Sequence, residues 1–189
     1  MPQKINAKSL LLALALFGAP GQVVADQSAS TQITITGVAW PVCQLPSPKA
    51  AGSSYASFDN STVTFTQFLD PQTALVQPSN ITLRFAGAMC NYNANVSLSS
   101  KNGGLVSSST PTALSGAGSF LQIVPYTVTA AWGTVGVTLD TSTGTSATAP
   151  AGGANAADLT LTIATQKSAL PVMQGVYQDT LIVKIGAQL

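Results

Sequence analysis

Ile81, Leu83 and Phe85 alternate with Thr82 and Arg84, and the same period of two returns along the chain from Ile33 to Ile185. Successive side chains of an extended strand point to opposite faces, so this pattern builds half-buried strands; a surface helix needs apolar residues every three or four positions. No sustained helical period is present. Ile33, Ile35, Gly37 and Ala39 share one face of a first strand, with Thr34 and Thr36 on the other. Further strand candidates lie at 62–66, 95–99, 123–131, 134–139, 158–164 and 177–185. Asn102-Gly103-Gly104 is a turn signal, made of residues that tolerate positive φ. Residues 141–157 are a low-complexity stretch dominated by Thr, Ser, Gly, Ala and Pro with no apolar period, and read as a mobile loop inside the domain. About eight strands with turn signals at short intervals predict an all-β fold, a β-sandwich.

Composition narrows the chemistry. Among 189 residues there is no histidine, and all six acidic residues are aspartate. Imidazole-activated nucleophiles and His-ligated zinc are excluded, because each needs a ring nitrogen that titrates or ligates near neutral pH. Charged residues make up 7% and the formal net charge is +1, which leaves no basic footprint for nucleic acid. Asp59, Asp70, Asp140, Asp158 and Asp179 could in principle pair as a glycosidase-like dyad. They are scattered through turns and strand ends, where aspartate serves the backbone, and they lack the spacing of a calcium loop. Neither an enzyme, a metal, a cofactor nor a small-molecule substrate is expected. The Asn60, Asn80 and Asn95 sequons match an acceptor pattern that a bacterial exported protein would not normally use.

Lys4 and Lys8 precede a short apolar stretch over 10–19, and Val23-Val24-Ala25 ends on a small residue, so residues 1–25 read as a secretory signal peptide. An apolar run of about ten residues is half of what crosses a bilayer. Cleavage after Ala25 leaves five basic groups against six aspartates. In an oxidising compartment Cys43 and Cys90 have only each other, and they read as a structural disulfide rather than a reactive dithiol. Closing that loop contributes roughly 4 kcal/mol on the chain-entropy estimate. Pro41 separates the first strand from Cys43 and interrupts regular pairing.

The segment Cys90-Asn91-Tyr92-Asn93-Ala94-Asn95-Val96-Ser97-Leu98-Ser99-Ser100-Lys101-Asn102-Gly103-Gly104-Leu105 resembles the second-cysteine region of bacterial chaperone-usher pilins. Pro125-Tyr126-Thr127-Val128, Ala131-Trp132-Gly133 and the closing Gly175-Val176-Tyr177-Gln178-Asp179-Thr180-Leu181-Ile182-Val183-Lys184-Ile185 resemble the spore coat protein U family, which includes archaic Csu-type pilins. The resemblance implies an immunoglobulin-like β-sandwich over 43–189, incomplete because it lacks its last strand. It implies a donor-strand extension over 26–42, in which Ile33, Ile35, Gly37 and Ala39 fill the groove of the next subunit. Gly37 falls where donor strands of the family usually carry a glycine. The acceptor groove would include the last strand through Leu181, Val183 and Ile185, with Leu189 ending the chain before another strand could fit. The implied partners are other pilin subunits in a head-to-tail homo- or hetero-polymer, a periplasmic chaperone and an outer-membrane usher. The implied role is a fimbria exported through the periplasm to the cell surface, serving adhesion and biofilm formation. One departure is the tail Gly186-Ala187-Gln188-Leu189, where many pilins carry an aromatic residue next to last.

Other readings stay open on the sequence. A minor or adaptor subunit fits the same features, whereas a tip adhesin would normally add a receptor-binding domain. A stand-alone secreted or periplasmic β-sandwich, binding carbohydrate through an exposed Trp40 or Trp132, would instead use the Ile33 strand as its own first strand.

Overall fold

The computed structural model describes residues 30–107 and 120–187. The signal-peptide reading of 1–25 and the last two residues of the tail lie outside them. The described residues contain sixteen strands and no helix. Eight strands carry the two principal sheets: β1 (Lys49–Ser54), β2 (Ser79–Phe85), β3 (Asn95–Ser100), β4 (Tyr126–Trp132), β5 (Val135–Asp140), β6 (Ser146–Pro150), β7 (Leu159–Thr165) and β8 (Leu181–Gly186). One sheet is five-stranded in the order β5-β4-β7-β2-β1, and the other is three-stranded in the order β6-β3-β8. All of these ladders are antiparallel.

Register follows the alternation. Leu83 lies opposite Leu161 and Ile81 opposite Ile163, while Val128 meets Ile163 from the other side, so one face of the larger sheet is continuous hydrocarbon. Val96 and Leu98 of β3 form the facing surface, flanked by Ile185 and Val183 of β8 and by Ala149 and Ala147 of β6. These residues belong to one core, with Ile81, Leu98 and Val128 fully buried. Two antiparallel sheets that share one apolar layer are consistent with a β-sandwich. Trp132 is fully buried in that layer, and its indole Nε1 donates to the carbonyls of Ala157 (2.9 Å) and Ala88 (3.2 Å). It is therefore no platform for a ligand.

Two expectations are corrected. Residues 141–157 are not a loop throughout, because Ser146–Pro150 pairs with β3 and Asn155–Ala156 pairs with Met89–Cys90. The alternation there is carried by Ala147 and Ala149, whose single methyl groups pack on the core without an apolar signature. Residues 30–42 form no strand, although the period of two is present. Alternation fixes which face of a segment is apolar; a ladder also needs a partner. Residues up to Val38 and those from Ala39 onward make two separate units.

Cys43 and Cys90 form the expected disulfide, with 4.1 Å between the Cα atoms. Asn102-Gly103-Gly104 lies in the connection after β3 as expected, with φ of +71° at Gly103 and +136° at Gly104.

Candidate functional site: an apolar groove beside a free strand edge

Strands of one sheet lie about 4.8 Å apart, so three strands span roughly 10 Å and five span about 19 Å. The smaller sheet cannot cover the larger one. Part of the deficit is filled by a hairpin, Ala56–Asp59 paired with Thr62–Phe65, which places Phe58, Val63 and Phe65 against the core. Its tight turn is made by Asn60 and Ser61, both at positive φ (45° and 66°), the geometry that suits the right-handed twist of a two-residue hairpin.

What remains open is a groove of about 540 Å³ between that hairpin and β8. Its floor comes from β2 and β7, through Leu83, Phe85, Leu161 and Ile163. Leu181 and Val183 line it from the β8 side. Ile185, on the same face of β8, packs on the core instead of lining the groove. On its other flank β8 is bare: it pairs with β3 and, among the described residues, with no second strand. An edge strand presents unpaired N–H and C=O groups, and here that row borders an apolar groove.

Among the described residues, Asp179 is the only charged side chain lining the groove. Its Oδ2 accepts from Tyr126 Oη (2.6 Å) and from Ser100 Oγ, and its Oδ1 accepts from the backbone N–H groups of Asn102 (2.9 Å) and Thr180 (2.7 Å). Burial pushes this carboxyl up, but the hydrogen bonds from Ser100, Tyr126, Asn102 and Thr180 together outweigh it, and the group titrates below the ordinary carboxylate value. Burial and the bond to Asp179 push the Tyr126 phenol well up. Asp179 thus ties the start of β8 to β4 and to the turn after β3.

The other described aspartates also serve nearby structure. Asp70 accepts from the backbone N–H of Gln72 and of Thr73, and Asp140 from that of Ser142. Asp158 accepts from Gly87 N–H and pairs with Arg84; those two contacts, the Gly87 one foremost, hold its carboxyl low. Asp59 accepts from Asn60 Nδ2 (3.2 Å). Among the described residues, no three His, Cys, Asp or Glu side chains gather in a metal-like cluster.

In the N-terminal unit Ile33 and Ile35 are 79% and 91% exposed, and a Cβ added at Gly37 would meet no atom within 4 Å. In the second unit Ala39 and Trp40 are exposed as well. Of the hairpin wall, Thr62–Phe65 matches the strand expected at 62–66, and Ala56–Asp59 was the part missed from sequence. Its trace was Asn60-Ser61 between two short runs, but Ala56-Ser57-Phe58-Asp59 holds a single large apolar residue and gives no visible period.

An apolar groove bordered by free backbone groups suits the capture of an extended apolar segment: side chains at alternate positions enter the groove while the backbone extends the ladder. Compared with known families and with curated proteins, the chain matches no family model and no curated sequence.

Proposed function

We propose that the chain is a structural subunit of a bacterial surface fimbria of the chaperone-usher class, polymerised by donor-strand exchange. One observation carries the proposal: a single chain holds both an apolar groove bordered by a free strand edge and an exposed segment whose apolar residues alternate with the period of a strand. In this reading the body is an immunoglobulin-like sandwich lacking one strand, and residues 31–39 of a second copy supply it. Ile33, Ile35, Gly37 and Ala39 enter the groove past Leu181 and Val183, and the incoming backbone pairs with β8. Burial of the two isoleucines contributes about 2 to 3 kcal/mol each, before the ladder is counted.

A contact between two different surfaces of one molecule does not close on itself, so repetition gives a filament. Export through the periplasm, a chaperone that shields the groove before assembly, an usher at the outer membrane, and roles in adhesion and biofilm formation belong to the same proposal. An unshielded groove and edge would otherwise aggregate.

The test is a pair of substitutions. Ile35→Asp would place a carboxylate in the groove of the next copy and should abolish polymer while leaving monomer melting unchanged, because Ile35 is 91% exposed in the monomer. Thr34→Asp points to the opposite face and should polymerise normally. If Ile35→Asp lowered monomer melting as much as polymer yield, the segment would be a strand of its own domain and the proposal would fail.

A further inference from the structure

A strand that fills the groove with its odd-numbered residues turns its even-numbered residues to the outside of the three-stranded sheet. That outer surface is polar along β3, and its apolar side chains are the Pro150 ring at the far end of β6 and Ile182 of β8. Ser99 of β3 lies opposite Ser146 of β6 on one side and opposite Ile182 of β8 on the other, and Ile182 is 42% exposed. An isoleucine on the outer face of a bare edge strand has no role in the monomer's core.

The even-numbered residues at the foot of the extension are apolar too. Trp40 is 77% exposed and Val42 is 49% exposed. The backbone beneath Trp40 is fixed. Asn91 Nδ2 donates to the Trp40 carbonyl (2.8 Å), Val42 N–H donates to Asn91 Oδ1 (2.7 Å), and Asn91 N–H donates to the Val42 carbonyl (3.0 Å). Pro41 fixes φ between them, and the Cys43–Cys90 bridge follows at once. The side-chain amide of Asn91 thus stands in for a rung of backbone ladder and presents the indole from a rigid base. A rigidly mounted, solvent-facing tryptophan has the character of an interface anchor, with little ordering entropy left to lose on contact.

We infer that Trp40 of one copy packs on Ile182 of the next, forming a second, outer seam of the joint, with Asn91 as the residue that positions Trp40. The inference rests on the strand-exchange reading and adds to it a contact outside the groove. Every ladder between named strands of the domain is antiparallel, and an antiparallel addition to β8 brings the foot of the extension to the start of β8, where Ile182 lies. Diagonal neighbours across a ladder sit about 7 to 8 Å apart, within reach of an indole.

Tryptophan fluorescence of the full chain, followed together with size-exclusion as monomer converts to polymer, tests the seam. Trp132 is fully buried already, so a change in emission reports Trp40. The expected result is a blue shift on association that Ile182→Ser removes. Trp40→Ser and Ile182→Ser should each speed dissociation on the order of tenfold, and the double variant should dissociate no faster than either single one. Both positions are exposed, so neither variant threatens the fold. Association with an unshifted emission, or additive effects in the double variant, overturns the seam while leaving strand exchange standing. Failure of the wild-type chain to associate at all overturns strand exchange, and the seam with it.

Discussion

Gly104 shows how a single position can be required by its surroundings. Its φ is +136°, and a Cβ built there would lie 2.8 Å from Ile123 Cγ2 and 3.1 Å from the Val124 carbonyl oxygen. Gly104→Ala should therefore cost about 1 to 3 kcal/mol in urea unfolding, since both backbone strain and a steric clash are introduced. Gly136, on the exposed face of β5 with no atom within 4 Å of an added Cβ, is the control, and Gly136→Ala should be nearly neutral. Asp179 gives a residue-scale prediction in pH. Its folded-state titration is depressed, so its stabilising effect is fully present above the unfolded carboxylate value of about 3.9 and fades as pH falls through the lower folded value. The stability difference between wild type and Asp179→Asn should accordingly shrink as denaturation is repeated from pH 6 down to pH 3. A gap that stays constant would mean that the carboxylate's charge is not what holds the Tyr126, Ser100 and Asn102 contacts.

At the scale of elements, legibility tracked side-chain size. β2, β5, β7 and β8 were visible in the sequence because Ile, Leu, Val and Phe recur at alternate positions, β3 through Val96 and Leu98, and β4 through Tyr126, Val128 and Trp132. β6 and β1 were not: Ser146–Pro150 and Lys49–Ser54 contain no apolar side chain larger than the Pro150 ring, and their partners β3 and β2 define them as strands. Strand propensity depends on neighbours more than on the residue itself, so such edge strands escape a pattern search. The groove was half legible for the same reason. Leu181 and Val183 could be read from β8, whereas Leu45 and Phe58 come from stretches without a period. If β6 is a structural strand rather than a loop, its two faces must respond differently. Ala147→Asp, pointing inward opposite Leu98, should destabilise by about 1 to 3 kcal/mol. Thr148→Asp, on the outer face, should stay within about 0.5 kcal/mol of wild type. Thermal melting of the two proteins reads the contrast directly, and equal melting temperatures would return 141–157 to the status of a loop.

At the scale of the whole molecule, the proposed strand exchange makes donor and acceptor separable parts of one chain, and that separation has a consequence for assembly. The unit from Ala39 onward contains the groove, the Cys43–Cys90 bridge and the shared core, while Ile33, Ile35 and Gly37 lie before it. A chain lacking 26–38 therefore keeps an acceptor and loses its donor. Mixed into an assembly of full-length chains, it can receive a strand from one neighbour but pass none on. Each filament should then hold at most one truncated copy, always at the same end, and mean filament length should fall toward the ratio of full-length to truncated chains. Electron microscopy of mixtures with a labelled truncated chain measures both quantities. A symmetric contact, the same patch on both copies, would instead make the truncated chain either fully competent or wholly excluded. Label distributed along the filaments, or filaments whose length ignores the mixing ratio, would rule out head-to-tail exchange through this segment even if polymers form.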